Sequence, residues 1–368
     1  MKKVTVIVCC LALMCFISGC ARVSGLDEQL IASGIGVDKD ENTYEVTVQA
    51  LNIDDSSEED SGSNKIITIS AKGNSLLEAI TNIENQSGKE LLYSHNLILV
   101  IGNDTAKTGI NDIIRFFATN HKLRPTVEVL ISNGLAKDIL SADDSEKSLN
   151  AENILSIVNV GKEGNDGIRS NIRYLLGDLN DSFRNAKAWY LEFDSENKSL
   201  LCDKVAVFKD EKLAGILDND KTKGLLLIYG KAKNISDNIN INENFISYDI
   251  KKVNSHIKVN LQNGEPVFEI GIDVDVDLYG INDNSEDIKN DIDERLNYLV
   301  SSAIYECIEE YRCDIFNFNR YIMNADLNYF KSHKDKMEDL LKSSQYSVST
   351  NAKIKYMESN QKINSLVY

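Results

Sequence analysis

The sequence feature that most constrains the fold is a strict alternation of apolar and acidic residues between Ile272 and Leu278. In a β-strand successive side chains point to opposite faces, so Asp273, Asp275 and Asp277 would share one face. The apolar residues between them would share the other. This pattern predicts a sheet with one buried and one solvated side.

The three aspartates also raise the question of a cation site. An EF-hand loop starting at Asp273 would need glycine at its sixth position and glutamate at its twelfth. Leu278 and Asn284 occupy those positions, so an EF-hand is excluded. A non-standard cation site formed by Asp273, Asp275 and Asp277 is the alternative to a solvated sheet face.

Strands dominate the second half of the chain, and helices follow them. Alternating segments predict strands at residues 204–209, 212–217, 224–231, 246–252, 256–261 and 267–278. From residue 285, apolar side chains recur every three or four positions, which predicts a long helix packed on its own sheet. These side chains are Ile288, Ile292, Leu296, Leu299, Ala303, Cys307 and Tyr311. A second helix is expected over residues 324–342 and a closing strand over 348–357.

The first half mixes strands and helices. A hairpin is expected over residues 31–52. Ser75 and Glu78 have the spacing of a capping box and predict the start of a helix, which Gly88 ends. The other expected strands lie at 66–71, 92–101 and 126–132, and the other helices at 109–119 and 152–159.

The order of these elements indicates the fold class. Several neighbouring strands look hairpin-connected, which favours an α+β protein over a doubly wound sheet. We therefore expect two or three mixed domains of largely antiparallel sheets with packed helices. The polar stretch 142–167 is a candidate hinge between subdomains, and Trp189, the only tryptophan, is expected in the core.

The charge balance excludes one class of partner. The 368 residues include 40 Lys and Arg against 57 Asp and Glu, which gives a formal net charge of −17. Such a chain repels phosphate backbones and anionic lipid headgroups alike, so nucleic acid is not expected as a partner. Attachment to a membrane would need a covalent or inserted anchor rather than charge.

The N-terminus supplies such an anchor. Lys2 and Lys3 precede an uncharged, largely apolar run at residues 4–17. As a helix this run spans about 21 Å, short of the ~30 Å hydrocarbon core, so it is typical of a signal peptide. Small residues precede Cys20, as a lipoprotein signal peptidase requires. We expect residues 1–19 to be removed by cleavage between Gly19 and Cys20, with lipid attached to Cys20. An ordinary signal peptide or a buried cysteine is the alternative.

Motifs for catalysis or cofactor binding are absent from the sequence. The histidines lie in no zinc-binding pattern, and neither a nucleophile elbow nor a phosphate-binding loop occurs. Cys202, Cys307 and Cys313 form no Cys-x-x-Cys pair and are expected to be small buried hydrophobic residues. We therefore expect no cofactor and no enzymatic activity.

A set of segments spread along the chain carries a resemblance to a known family. They are Ser18-Gly19-Cys20, residues 36–40, 44–49, 75–80, 93–96, 109–117, 124–125, 205–210 and 212–217, and Asp314-Ile315-Phe316. No single segment is specific, but their order and spacing over more than 300 residues resemble the Ger(x)C family of spore-germination lipoproteins, the C subunits of nutrient germinant receptors.

The sequence departs from the family pattern at three places. Residues 21–25 replace a segment that is usually rich in Arg and Glu. Ile216 stands where a tryptophan is common, and Asn319 where a glycine is usual after Asp314-Ile315-Phe316.

The resemblance implies a role and a location. It implies an N-terminal Ger(x)C domain at residues 20–190 and a C-terminal one at 200–368, anchored through Cys20 on the outer face of the spore inner membrane. The chain would be a non-catalytic assembly or signalling subunit, working beside A-type and B-type integral membrane subunits in spore germination.

Two other functions remain alternatives. A solute-binding lipoprotein would capture a small nutrient in a cleft between domains at the cell surface. An envelope hydrolase would need a pair of carboxylates in a cleft, and the sequence nominates no such pair.

Overall fold

The computed structural model describes residues 29–52, 65–119, 123–141, 151–162, 168–194, 196–197, 199–232, 234–241, 244–279 and 286–357. These residues form two β-sheets with helices packed against them, and the α+β class is confirmed. Most of the candidate hinge at 142–167 lies outside the described residues.

Nine strands form the first sheet. They are β1 (Gln29–Asp40), β2 (Thr43–Asn52), β3 (Lys65–Gly73), β4 (Glu90–Leu92), β5 (Ile98–Ile101), β6 (Glu128–Ser132), β7 (Lys187–Asp194), β8 (Ser199–Lys209) and β9 (Lys212–Leu217). Their order is β3-β2-β1-β5-β6-β7-β8-β9, with β4 beside the start of β1. The central pairings, from β1 through β7, are parallel and the outer ones antiparallel. This sheet therefore has a larger share of parallel pairings than the sequence pattern of hairpin-connected strands predicted.

The helices lie on both faces of the first sheet and on the second sheet. They are α1 (Leu76–Ser87), α2 (Asn103–Thr108), α3 (Asn111–Thr119), α4 (Ala136–Ser141), α5 (Ala151–Lys162), α6 (Ile172–Leu179), α7 (Asn219–Ile228), α8 (Glu286–Tyr305), α9 (Phe318–Ala325), α10 (Leu327–His333) and α11 (Met337–Ser343). Among these residues, no helix is both long and apolar enough to cross a bilayer.

Helices α1, α2, α3 and α6 cover one face of the first sheet, and α4 and α5 cover the other. All four residues of β5 are consequently buried, as the apolar run at 97–101 predicts for a strand covered on both faces. The capping box is confirmed, since the Ser75 hydroxyl accepts the Glu78 N–H at 3.1 Å. Gly88 ends α1 with a φ of 66°, a conformation that glycine adopts without strain.

Four strands form the second sheet, in the order β10 (Ile235–Ile241), β11 (Asn244–Gln262), β12 (Glu265–Tyr279) and β13 (Gln345–Met357). Helix α8 packs on it, as expected. Two α8 side chains also bond to β13: Asn297 donates to the Val348 carbonyl at 3.0 Å, and Asp293 accepts the Ala352 N–H at 2.7 Å. Because these bonds occupy backbone groups of β13, the helix covers part of the strand's edge.

One apolar core connects the two sheets. It runs from the α4–α5 face of the first sheet, through α7 and α8, to the inner face of the second sheet. Trp189 lies in it and is 1% exposed, which confirms the expected core position. The expected division at residues 190–200 falls between β7 and β8, which pair with each other in the first sheet.

Several local predictions were wrong. Residues 224–231 do not form a strand, because most of them belong to α7, which begins where the Asp218 carboxylate accepts the Lys221 N–H at 2.9 Å. Leu225 through Ile228 are all buried between β8 and α8, so the sequence shows no helical periodicity there.

Two other predicted elements are divided in the structure. The single helix expected at 324–342 is divided, since Asp326 caps the start of α10. The strand expected at 92–101 is likewise divided, into β4 and β5 with a 3₁₀ turn between them.

Candidate functional site at the junction of the two sheets

The predicted lipid-attachment residues, Gly19 and Cys20, lie outside the described residues, and their roles stay predictions. Asp273, Asp275 and Asp277 do share one face of β12, where they are half-buried, and the apolar residues between them are buried. The predicted alternation is therefore confirmed.

The neighbours of these aspartates are mostly polar or cationic. Asn351 on β13 donates to Asp273 at 2.9 Å. Asp275 lies opposite Lys252 on one side and Lys353 on the other, in the register of the adjacent strands. Opposite charges across strands stabilise a solvated sheet face. Among the described residues no group of three or more His, Cys, Asp or Glu has the geometry to hold a metal ion. The cation-site alternative therefore gains no support here.

A cluster of buried, hydrogen-bonded polar groups lies where the loop before β7 contacts the turn before α9. We call this place the junction. Asp314 is buried at its centre, and its carboxylate accepts three backbone N–H groups. One oxygen accepts from Phe316 at 3.1 Å and Phe318 at 3.0 Å, and the other from Asn319 at 2.8 Å. These bonds fix the tight turn, in which Asn317 has a left-handed φ of 65°.

The loop before β7 is bonded directly to this turn. The Asn185 side chain accepts the Asp314 N–H at 2.8 Å, and the Asn185 N–H donates to the Asp314 carbonyl at 3.0 Å. The Asn319 side chain donates to the Phe183 carbonyl at 3.1 Å. The turn before α9 is therefore fastened to the first sheet by backbone and side-chain bonds.

Charged groups are also buried beside the turn. Lys187, 6% exposed, lies 4.0 Å from the Asp178 carboxylate and 5.4 Å from the centre of the Tyr229 ring. Asp178 also accepts from Arg184 at 2.7 Å. Burial raises the pKa of Asp178 and lowers that of Lys187, while their mutual attraction opposes both effects. Burial likewise raises the pKa of Asp314 to about 6, although its backbone donors act in the opposite direction.

A cleft of about 780 Å³ opens above this junction. Its wall carries mutually paired charges: Glu338 accepts from Lys209 at 2.9 Å and from Arg312 at 2.9 Å. A cleft of this size can hold a small polar molecule or a charged segment of another protein. Thiol chemistry is disfavoured, because burial raises the pKa of the Cys313 thiol to about 12 and keeps it protonated.

Comparison with known families decides what kind of protein carries this junction. Residues 24–191 match the family described as "Spore germination protein N-terminal domain". Residues 203–358 match the family described as "Spore germination B3/GerAC like, C-terminal". The chain belongs to the Ger(x)C family of spore germination proteins. Its membership supports a role in spore germination as a germinant-receptor C subunit.

Individual Ger(x)C relatives agree along most of the chain. Spore germination protein B3 of Bacillus subtilis (strain 168) is 20% identical over 353 residues, covering 91% of this chain and 93% of the relative. Spore germination protein YndF of the same organism is 20% identical over 302 residues, covering 78% and 74%. The crystal structure of the GerBC protein superposes with a TM-score of 0.61 at 18% identity, covering 87% of this chain and 96% of GerBC. This superposition confirms the fold.

The Ger(x)C resemblance pointed to Asp314 but not to its chemistry. Asp314-Ile315-Phe316 was recognised as a family segment, and the structure adds that the aspartate holds a turn. Sequence reasoning missed Lys187 and Asp178. The available signal was a lysine between Ala186 and Ala188 in an apolar strand, where a buried charge needs a partner.

Proposed function

We propose that this Ger(x)C protein is the lipid-anchored, non-catalytic C subunit of a nutrient germinant receptor. Lipid on Cys20 would hold it on the outer face of the spore inner membrane, where it would assemble with the A-type and B-type membrane subunits. The observation that carries the proposal is the match to both Ger(x)C domains, in order, along a chain that begins with a signal-like segment and Cys20.

The junction is consistent with a role in assembly or signalling. A subunit that transmits a change between partners must keep its parts in a fixed arrangement. The continuous core and the bonds around Asp314 supply that connection within the described residues. The paired charges and the buried thiols favour a non-catalytic role.

Nutrient-triggered germination of spores tests the proposal. Spores would carry the wild-type chain, a deletion, Cys20→Ala, or the control Cys15→Ala, which removes a cysteine from the signal segment. We expect a nutrient-specific defect in the deletion and in Cys20→Ala, with germination by dipicolinate intact and Cys15→Ala normal. Co-purification of the membrane subunits with the wild-type chain is also expected. A normal nutrient response in the deletion strain would contradict the receptor role.

A solute-binding lipoprotein is the second candidate, and the cleft at the junction is the observation that favours it. It predicts saturable binding of a small nutrient by the isolated chain, measured by calorimetry. Arg312→Ala, which removes a cation from the cleft wall, would weaken that binding. A receptor subunit without a nutrient site would give no binding heat in the same titrations.

A further inference from the structure

Two exposed arginines lie against one tyrosine in the first half of the chain, and the backbone of a third arginine passes close by. The guanidinium carbons of Arg169 and Arg173 lie 4.9 and 5.4 Å from the centre of the Tyr174 ring. Arg169 also donates to the Tyr174 hydroxyl at 3.0 Å. Arg124 lies next to them along the backbone, since the Arg173 N–H donates to the Pro125 carbonyl at 3.0 Å. We call Arg124, Arg169, Arg173 and Tyr174 the arginine cluster.

The arginines of this cluster differ from most of those elsewhere in the described chain. Arg184, Arg295, Arg312 and Arg320 each form an ion pair with a carboxylate, and Arg115 donates to the side chains of Asn111 and Asn180. None of the cluster arginines has a described carboxylate within 4.0 Å, although the chain carries a net charge of −17.

The Tyr174 ring explains why the guanidinium groups of Arg169 and Arg173 lie close together. Two like charges repel each other, and the Tyr174 ring attracts both guanidinium groups to one place. Among the described residues, no carboxylate pairs with their remaining N–H donors. Such a group of forked donors suits oxygens that carry negative charge, above all phosphate.

The position of the cluster indicates the partner. In the first sheet, Gly34 of β1 is the register partner of Ile98 of β5, and Ile98 is the register partner of Glu128 of β6. Arg124 precedes Glu128 by four residues and Gln29, where β1 starts, precedes Gly34 by five. The cluster and the start of β1 therefore lie toward the same end of the sheet, and β1 and β6 are about 10 Å apart.

The length of chain before β1 brings this end close to a membrane. Gln29 lies nine positions after Cys20, and a fully extended chain of that length spans about 30 Å. If Cys20 is lipidated, as the proposed function requires, the end of the sheet that carries the cluster lies within that distance of the lipid. At physiological salt charges are screened over ~8 Å, so charges on the far side of the protein contribute little at the cluster.

We propose that the arginine cluster binds the phosphate headgroups of anionic phospholipids and so orients the anchored protein on the membrane. This inference rests on the proposed anchoring. Tyr174 contacts both Arg169 and Arg173, and tyrosine is a residue type enriched at membrane–water interfaces.

Vesicle binding without the lipid anchor tests the inference. The full mature chain, residues 20–368 with Cys20→Ser, is mixed with vesicles of phosphatidylglycerol or of phosphatidylcholine and sedimented. We expect binding to phosphatidylglycerol only, which weakens as salt is raised. Because each basic residue near an anionic surface strengthens binding roughly fivefold, Arg169→Gln with Arg173→Gln should lower it at least tenfold. The matched control Lys331→Gln with Lys336→Gln removes the same charge from exposed positions on and after α10 and should change it less than twofold.

The outcomes separate the partners and the two proposals. A loss in Arg169→Lys with Arg173→Lys that is smaller than in the glutamine variant would support headgroup recognition at this site, because lysine keeps the charge but not the forked donors. Equal losses in the glutamine and control variants, or no binding to phosphatidylglycerol, would overturn the inference. Loss of co-purification with membrane subunits in the glutamine variant without any vesicle binding would also overturn it and assign the cluster to an acidic protein partner. Incorporation of labelled palmitate at Cys20, measured separately on the native chain, tests the anchoring itself.

Discussion

Replacing Asp314 by asparagine tests the role assigned to the junction. The substitution keeps the shape of the side chain, and one atom can still accept from Phe316 and Phe318. The other becomes an NH₂ group facing the Asn319 N–H, which Asp314 now accepts at 2.8 Å. A buried donor left without an acceptor costs about 1–3 kcal/mol. We expect Asp314→Asn to lower the free energy of unfolding at pH 7 by that amount.

The pH dependence gives a sharper test, because its sign is fixed. The pKa of Asp314 in the folded chain is about 6, above its ordinary value of 3.8. Between these values the folded chain holds a proton that the unfolded chain has lost, so stability falls as the pH rises through 6. At pH 5 the folded carboxyl is mostly protonated and the unfolded one mostly ionised. Relative to pH 7, the wild-type chain therefore gains on the order of 1 kcal/mol from this group.

Urea denaturation at pH 7 and pH 5, followed by the fluorescence of the buried Trp189, measures both effects. Other carboxylates titrate alike in wild type and variant, so the stability difference between the two proteins should widen at pH 5, by on the order of 1 kcal/mol. Asp326→Asn is the matched control, since Asp326 is partly exposed and accepts the backbone N–H groups of Asn328 and Tyr329 at 2.9 Å each. Asparagine caps helices equally well, so this control should lose less than about 0.5 kcal/mol at either pH. An Asp314→Asn difference that is identical at the two pH values would refute the reasoning.

Two further substitutions test the packing around the junction. A Cβ on Gly224 would lie 2.0 Å from the Leu299 carbonyl oxygen, so Gly224→Ala must separate α7 from α8 and should cost about 1–3 kcal/mol in urea denaturation. The control Gly177→Ala, in α6, meets nothing within 4 Å and should gain up to about 1 kcal/mol; equal effects at the two glycines would contradict the close approach. Tyr311→Phe removes the hydroxyl that donates to the Ile216 carbonyl at 3.1 Å and accepts the Ile216 N–H at 3.2 Å. It should cost about 1–2 kcal/mol by the same assay, and an unchanged urea midpoint would show that water replaces both bonds.

Sequence patterns predicted the fold best where local chemistry decides it. The alternation around Asp275 placed β12 and its two faces correctly, because side-chain direction in a strand has a period of two. Ser75 and Gly88 marked the ends of α1 through backbone groups that only nearby residues can satisfy. The failures occurred where tertiary contacts decide. The α7 segment is buried on several sides and loses its helical period, and the parallel centre of the first sheet depends on crossovers that no local pattern encodes.

The candidate site was less predictable because its members come from distant parts of the chain. Lys187 looks like an ordinary strand residue until Asp178 and Tyr229 are brought beside it. The arginine cluster is similar. Arg124 and Arg169 are separated by 45 positions in the sequence, and only the bonds between residues 124–129 and 170–173 place them on one surface.

Asn319 illustrates how divergence within the family can add a connection. It stands where the family pattern has a glycine, but the left-handed conformation belongs to Asn317, two residues earlier. Asn319 is helical, so glycine is not required there, and its side chain donates to the Phe183 carbonyl. The turn therefore keeps the Asp314 bonds and gains a further tie to the first sheet. Since this tie and the Asn185 bonds reach the same loop, a displacement of α9 must move the start of β7 or break them. That coupling is the physical property a subunit needs if it is to pass a change from one partner to another.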